Sequence, residues 1–299
     1  MLHNQDIKRL KVKVGTNVRL KHIATDWVHA KELKTQDLTK LKDEAKKILK
    51  KNVQELAEAQ ELLYASDAHA ILIILQGMDT AGKDGTIKHV MSGVNPQGCS
   101  VHSFKQPTSH ELEHSFLWRH GLVVPERGRI AIFNRSYYED VVAVKVHPEW
   151  LTKEHLRLKN RNDFWRSRYD DINAFERHLS RNGTVILKFF LHISKDEQKR
   201  RLLARLDDKE KLWKFSPSDL RERGYWDDYK GAYEEAISET NTAWAPWFVI
   251  PADYKWAART LVAEVVTHSI AALKLGYPTV DKELKKRAQS ARATLIASK

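Results

Sequence analysis

Ten consecutive residues carry the plainest chemistry in the chain. GMDTAGKDGT, residues 77–86, sets Gly77, Gly82 and Lys83 in the spacing G-x-x-x-x-G-K. Glycines let such a loop turn its backbone N–H groups around phosphate oxygens. The lysine adds charge, and a following helix points its positive N-terminus at the anion. The hydroxyl residue that ordinarily follows the lysine and holds Mg2+ is replaced by Asp84. Asp79, inside the loop, is the candidate substitute. Bare phosphate would repel a carboxylate there, whereas a bridging Mg2+ makes it useful.

A second segment, RIAIFNRSYYED (129–140), places polar groups directly after an apolar run. In open α/β sheets ligands gather at the carboxyl ends of strands. Arg135 is therefore expected beside the phosphate loop, bridging phosphate oxygens in the transition state. Glu139 and Asp140 could hold a metal or a ribose. Asn134 stands where a Walker-B carboxylate would end the strand, so Asp140 is the expected metal ligand. A third cluster runs from Ser194 to Trp226 and carries Lys199, Arg200, Arg201, Arg205, Lys209, Lys211, Lys214, Arg221 and Arg223 against seven acidic residues. Such a run is either a solvated helix face or a lid that folds over phosphates. The upstream phosphate loop favours the lid.

These groups need a scaffold. AILIILQ (70–76), RIAIFN (129–134), TVILKFFL (184–191) and WFVI (247–250) are short apolar runs without polar alternation. They suit strands covered on both faces, as in a parallel sheet. Helical stretches around 109–120, 161–180, 194–206 and 254–275 separate them, which indicates a three-layer α/β domain with a parallel central sheet. From Asp37, apolar residues Leu38, Leu41, Ala45, Ile48, Val53, Leu56 and Leu63 recur at helical spacing. They predict a long amphipathic helix ending near Ser66, packed on the domain or serving as an oligomer contact. Residues 1–36 read as an irregular arm, and the basic end, DKELKKRAQSARATLIASK, as a solvated helix or frayed tail. The division expected is 1–66 for arm and long helix, 67–280 for the core with a lid at about 198–226, and 281–299 for the tail.

Composition narrows the class. The 299 residues hold 51 Lys+Arg against 39 Asp+Glu, a net charge of +12 that suits a polyanionic partner. Nucleic acid, nucleotide, polyphosphate and an acidic membrane surface all fit. The single cysteine, Cys99, rules out an internal disulfide and a Cys-based metal site. No apolar run reaches the ~18 residues that span a bilayer. The start lacks the apolar core of a signal peptide. A cytoplasmic location is expected.

Four motifs in order, QGMDTAGKDGTIKH, FNRSYYED, WKFSPSD with Trp226 and Tyr229 beyond it, and TAWAPWFVIPAD, make residues 66–275 resemble the family-2 polyphosphate kinases. The resemblance implies a P-loop kinase fold similar to thymidylate kinase, with a helical lid and an N-terminal helical extension. It implies Mg2+-dependent transfer, with Mn2+ as the alternative ion, of the terminal phosphoryl group of inorganic polyphosphate. The acceptors would be nucleoside mono- or diphosphates, AMP giving ADP and ADP giving ATP. Catalysis would fall to Asp79, Lys83 and Arg135. Nucleotide binding would fall to Gly77, Asp79, Thr80, Arg119 and Glu139. Polyphosphate would meet Ala81, Gly82, Lys83, Asp84, Arg135, Arg201, Arg205 and Lys214. The metal would sit on Asp79 and Asp140. Many family members carry FDRSWYNR where this chain has FNRSYYED, a form resembling the branch that phosphorylates both mono- and diphosphates. Expected partners are polyphosphate, adenine or guanine nucleotides, and further copies of the chain in a homodimer or homotetramer. No membrane and no nucleic acid is expected. Two rival readings are an ATP-dependent nucleotide kinase and a basic nucleic-acid-binding P-loop ATPase, the latter suggested by the charge and nine tryptophans.

Overall fold

Five strands align in parallel in the order β2-β3-β1-β4-β5. The computed structural model describes residues 4–26, 37–154, 161–210 and 212–298. The strands are β1 (Ala70–Gly77), β2 (Cys99–Ser103), β3 (Ile130–Asn134), β4 (Thr184–His192) and β5 (Trp247–Pro251). β1 is central and buried along its whole length. Its Leu72 pairs with Ala131 of β3 on one side and Ile186 of β4 on the other. Four strands match the apolar runs. β2 is an additional strand, at the sheet edge, and its residues are half-buried or exposed.

The helices are α1 (Asn4–Leu10), α2 (Leu38–Ser66), α3 (Lys83–Val90), α4 (Ser109–Leu112), α5 (Trp118–Gly121) and α6 (Ala143–Val146). They continue with α7 (Arg161–Arg181), α8 (Lys195–Leu206), α9 (Pro217–Gly224), α10 (Trp226–Thr240), α11 (Lys255–Ala271) and α12 (Lys282–Ala297). α11 packs against α2 and α3; α10 packs against α6 and α7. These two groups are the layers that cover the sheet. α2 begins at Asp37, whose carboxylate accepts from Thr39 N–H, and it buries Leu41, Ala45, Leu56 and Leu63. The expected single helix over 109–120 is instead two short ones, because the chain turns between Leu112 and Trp118.

The arm is more ordered than expected. It contains α1, and Leu10, Val18 and Leu20 join the main core. Lys11 bridges antiparallel to Phe248, and Val12 N–H donates to the Trp247 carbonyl (2.9 Å), so the arm lies along β5. The basic tail forms α12, capped by Asp281 and without a buried residue.

Candidate active site

β1 runs into the phosphate loop, which returns the chain into α3 at Lys83. Gly77 has φ +150°, and a Cβ there would meet the Leu191 carbonyl oxygen at 2.8 Å. Gly82 caps α3 with φ +102°. Both positions need glycine. Thr80 takes φ +64°, a conformation that costs a non-glycine residue about 1–3 kcal/mol and clusters at functional sites. Its Oγ1 is buried with no hydrogen-bond partner among the described residues. A buried hydroxyl left open inside an anion-binding loop fits a ligand.

Lys83 Nζ folds back on the loop and donates to the carbonyls of Gly77 (2.8 Å) and Met78 (3.3 Å). Burial first, and then the charge of Arg135, lower its pKa to about 8. A phosphate beside it would restore the cation.

Arg135 follows β3 in the left-handed conformation, φ +62°, with its N–H donating to the Leu75 carbonyl (3.0 Å). Its guanidinium spans two carboxylates: Nη2 donates to Asp79 Oδ1 (2.6 Å) and Nη1 to Glu139 Oε2 (3.4 Å). Glu139 above all, joined by Asp79, raises the arginine pKa against the opposing cost of burial. Gln76 steadies Glu139, since its amide nitrogen donates to Oε1 (2.9 Å) while its oxygen accepts from Ser136 Oγ (3.2 Å). Asp79, Lys83 and Arg135 thus converge at the carboxyl ends of β1 and β3.

One cavity is lined by Asp79 and Arg135 of this cluster. Its lower wall is Gly77, Met78, Asp79, Arg135 and Glu139; Gln198, Glu222, Trp226, Tyr229 and Tyr233 close it from the side of α8, α9 and α10. Gln198 Nε2 donates to the Asp79 carbonyl (3.2 Å), and its Oε1 accepts from Arg223 (2.8 Å). Glu222 accepts from Tyr229 OH (2.7 Å) and pairs with His147 Nε2 (2.9 Å). Burial, and next the charge of Asp79, push the Asp219 carboxyl up, which places α9 close to the phosphate loop. Gln198, Glu222 and Tyr233 escaped the motif reading. For Tyr233 a signal existed: positions 226, 229 and 233 follow the helical spacing of one face of α10.

Several expected site residues sit differently. Arg201 is buried and faces the back of the loop: Nη1 donates to the carbonyls of Thr80 (2.9 Å) and Ala81 (2.8 Å), Nη2 to those of Ala252 (2.5 Å) and Asp253 (3.1 Å), and Nε to Glu197 (2.6 Å). It clamps the loop from behind, in place of the lid role expected for it. Arg205 is bound to Asp219 (2.9 Å), tying α8 to α9. Asp140 is buried, does not line the cavity, and its carbonyl accepts from Arg168 (2.8 Å). Residues 137–140 form a 3-10 turn, in which neighbours point about a third of a turn apart. Glu139 lines the cavity and Asp140 does not, so of these two neighbours Glu139 is the carboxylate presented there. Among the described residues no group of three or more His, Cys, Asp or Glu is placed to hold a metal. Asp84 accepts from Asn134 Nδ2 (2.8 Å), so Asn134 orients the first acid of α3. Arg119 lies apart from the cavity, donating to the Lys105 carbonyl (2.9 Å) with its guanidinium over Phe104. The side chain of Lys214 and the whole of Lys211 lie outside the described residues.

Behind Arg135 lies a buried polar quartet. Glu176 Oε1 accepts from Tyr137 OH and Tyr138 OH (both 2.9 Å), and its Oε2 pairs with Lys188 Nζ (2.6 Å). Lys188 also donates to Tyr138 OH (2.9 Å) and the Thr240 carbonyl (2.7 Å). The turn that carries Arg135 and Glu139 is thereby pinned to β4 and α10. His89 and His192 meet backbone carbonyls of Gly85 (2.8 Å) and Leu20 (3.2 Å).

The family described as Polyphosphate kinase 2 (PPK2) matches residues 39–276. An ADP-polyphosphate phosphotransferase of Rhodopseudomonas palustris is 50% identical over 257 residues, 85% of this chain and 89% of that protein. An AMP/ADP-polyphosphate phosphotransferase of Meiothermus ruber is 48% identical over 235 residues, 79% of this chain and 83% of that protein. The crystal structure of polyphosphate kinase 2 from Arthrobacter aurescens TC1 superposes with a TM-score of 0.85 at 39% identity, covering 97% of this chain and 96% of that one.

Proposed function

The chain belongs to the polyphosphate kinase 2 family, and we propose that it transfers the terminal phosphoryl group of inorganic polyphosphate to nucleoside mono- or diphosphates. The observation that carries this reading is the pairing of Arg135 with Asp79 on one cavity wall, beside an anion-binding loop whose Lys83 folds back on the Gly77 carbonyl.

In the reaction an acceptor phosphate oxygen attacks the terminal phosphorus in line. The new P–O bond forms as the bridging P–O bond to the polyphosphate breaks, and the shortened polyphosphate leaves with that electron pair. The attacking oxygen is already anionic, so no strong general base is needed. The protein acts by position and charge. Loop amides and Lys83 hold the donor end, while Arg135 neutralises charge that builds on the transferring group. Glu139 and Asp79 keep that guanidinium aimed between them until phosphate competes for it.

A divalent cation, Mg2+ or Mn2+, fits Asp79, whose side chain is partly exposed on the cavity wall. Mg2+ is commonly held by one or two carboxylates with waters and substrate phosphates completing its shell, and it would neutralise phosphate charge. Adenine or guanine nucleotides as acceptors, a homodimeric or homotetrameric assembly and a cytoplasmic location belong to the same proposal. Among the described residues no helix is long and apolar enough to cross a membrane. The test is purified protein with Mg2+, polyphosphate as sole donor and each nucleoside mono- and diphosphate in turn. ADP and ATP should form. Phosphorylation from ATP but from no polyphosphate would defeat the proposal in favour of an ordinary nucleotide kinase.

A further inference from the structure

α12 lies beyond the residues that match the family, 39–276, and none of its residues is buried. Its sequence nevertheless carries a seam. Leu284, Ala288, Ala291 and Leu295 recur at spacings of four, three and four, the pattern of a helix face that packs against another helix. Leu284, Leu295 and Ile296 are each more than half exposed. A helix of 16 residues is about 24 Å long and marginal in water on its own, so its stability has to come from covering such a face.

Charge decides what can cover it. Lys285 and Arg292 flank the seam on one side and Arg287 on the other, and Glu283 is the one acid of the helix. A second α12 would set like charges against these in either orientation, so the helix is built against pairing with itself. An acidic surface of small and apolar residues would complement it. The second half of α2, residues 52–66, is such a surface. It holds Glu55, Glu58 and Glu61 without a basic residue, and every lysine of α2 lies before it. Glu58, Glu61 and Tyr64 are exposed there, with Ala57, Leu62 and Ala65 half-buried among them. Tyr277 OH donates to Glu61 Oε1 of its own chain (3.1 Å), so α12 starts within a few residues of this face and is still left uncovered by it.

We propose that α12 packs along the acidic half of α2 in a second copy of this chain, with a two-fold axis repeating the contact in reverse. Such a contact is isologous: each copy gives one helix and receives one. The proposal rests on the homo-oligomeric assembly put forward above and names a surface that makes it.

The experiment follows mass by sedimentation velocity over a concentration series. It compares the unaltered chain with K285E/R292E on α12, with E58K/E61K on α2, and with both pairs of changes in one chain. All four positions are exposed. Each reversal alone sets like charges face to face, which should weaken association on the order of 10²-fold or more and release lighter species. The combined chain should regain the unaltered mass, because opposite charges face each other again. Damage to folding by one reversal would not be repaired by the other. An assembly that neither reversal loosens, or a combined variant that stays apart, would overturn this surface alone. An unaltered protein that runs as a single copy throughout would overturn the assembly with it, which separates the two failures.

Discussion

Replacing Arg201 by lysine separates a loop clamp from a channel lining, because charge is kept while the fork is lost. The guanidinium reaches four carbonyls and one carboxylate at 2.5–3.1 Å. A lysine ammonium at one point in space cannot bridge Thr80 and Ala81 on one side and Ala252 and Asp253 on the other. Hydrogen bonds to a charged group contribute about 1.5–3 kcal/mol each, so loss of two costs about 3–6 kcal/mol. Unfolding entropy near 2.1 cal/mol/K per residue gives, for 299 residues, about 0.6 kcal/mol/K. The melting temperature should therefore fall by about 5–10 °C. Thermal melts by circular dichroism read this directly, and steady-state kinetics should show kcat falling as the loop loses its shape. A melting temperature shifted by less than about 1 °C, with KM for polyphosphate raised about tenfold, would refute the clamp and restore the channel role.

Lys83→Ala should cut kcat on the order of 10²-fold or more, as with other fixed electrostatic donors. In the free protein Lys83 is charged below about pH 8 and loses its proton above, so KM for polyphosphate should rise as pH passes through that point. Lys83→Arg should flatten the profile, and an inflection that survives in it would contradict the assignment. Asp79→Asn should abolish turnover while only modestly weakening polyphosphate binding in a direct titration, and near-normal turnover would refute its role. Glu176→Gln leaves Lys188 buried without its counter-charge and should cost about 3–5 kcal/mol by denaturant unfolding. The double variant E176L/K188M should lose less than Glu176→Gln alone, and the opposite order would argue against the ion pair as the costly element.

The sheet was legible wherever burial is two-sided, since β1, β3, β4 and β5 then read as apolar runs without polar alternation, Lys188 being the one charge inside them. β2 was not, because Ser100, Val101 and Ser103 are exposed at the edge and CSVHS carries no such run. Asp79, Lys83 and Arg135 could be singled out because loop chemistry ties residue type to position, and the structure brings Asp79 and Arg135 into contact. Arg201 stood out as a cation, but its bonds to the loop carbonyls did not, because sequence gives charge and not what the charge touches. Asp140 and Glu139 are adjacent, and only the 3-10 turn decides which one faces the cavity. The arm was read as irregular since its structure comes from partners far along the chain.

That distance has a consequence for how the molecule is made. Val18 bonds Ser238, Leu20 bonds Glu234 and Thr25 bonds Asp253, at separations of 220, 214 and 228 residues. Closing loops of that length costs entropy before any contact returns it, so such docking comes late in folding. A ribosome adding about 5–20 residues per second leaves the arm waiting about 10–45 s for its partners, with Leu10, Val18 and Leu20 lacking their native cover. A segment synthesised well ahead of its partners is among the last to dock.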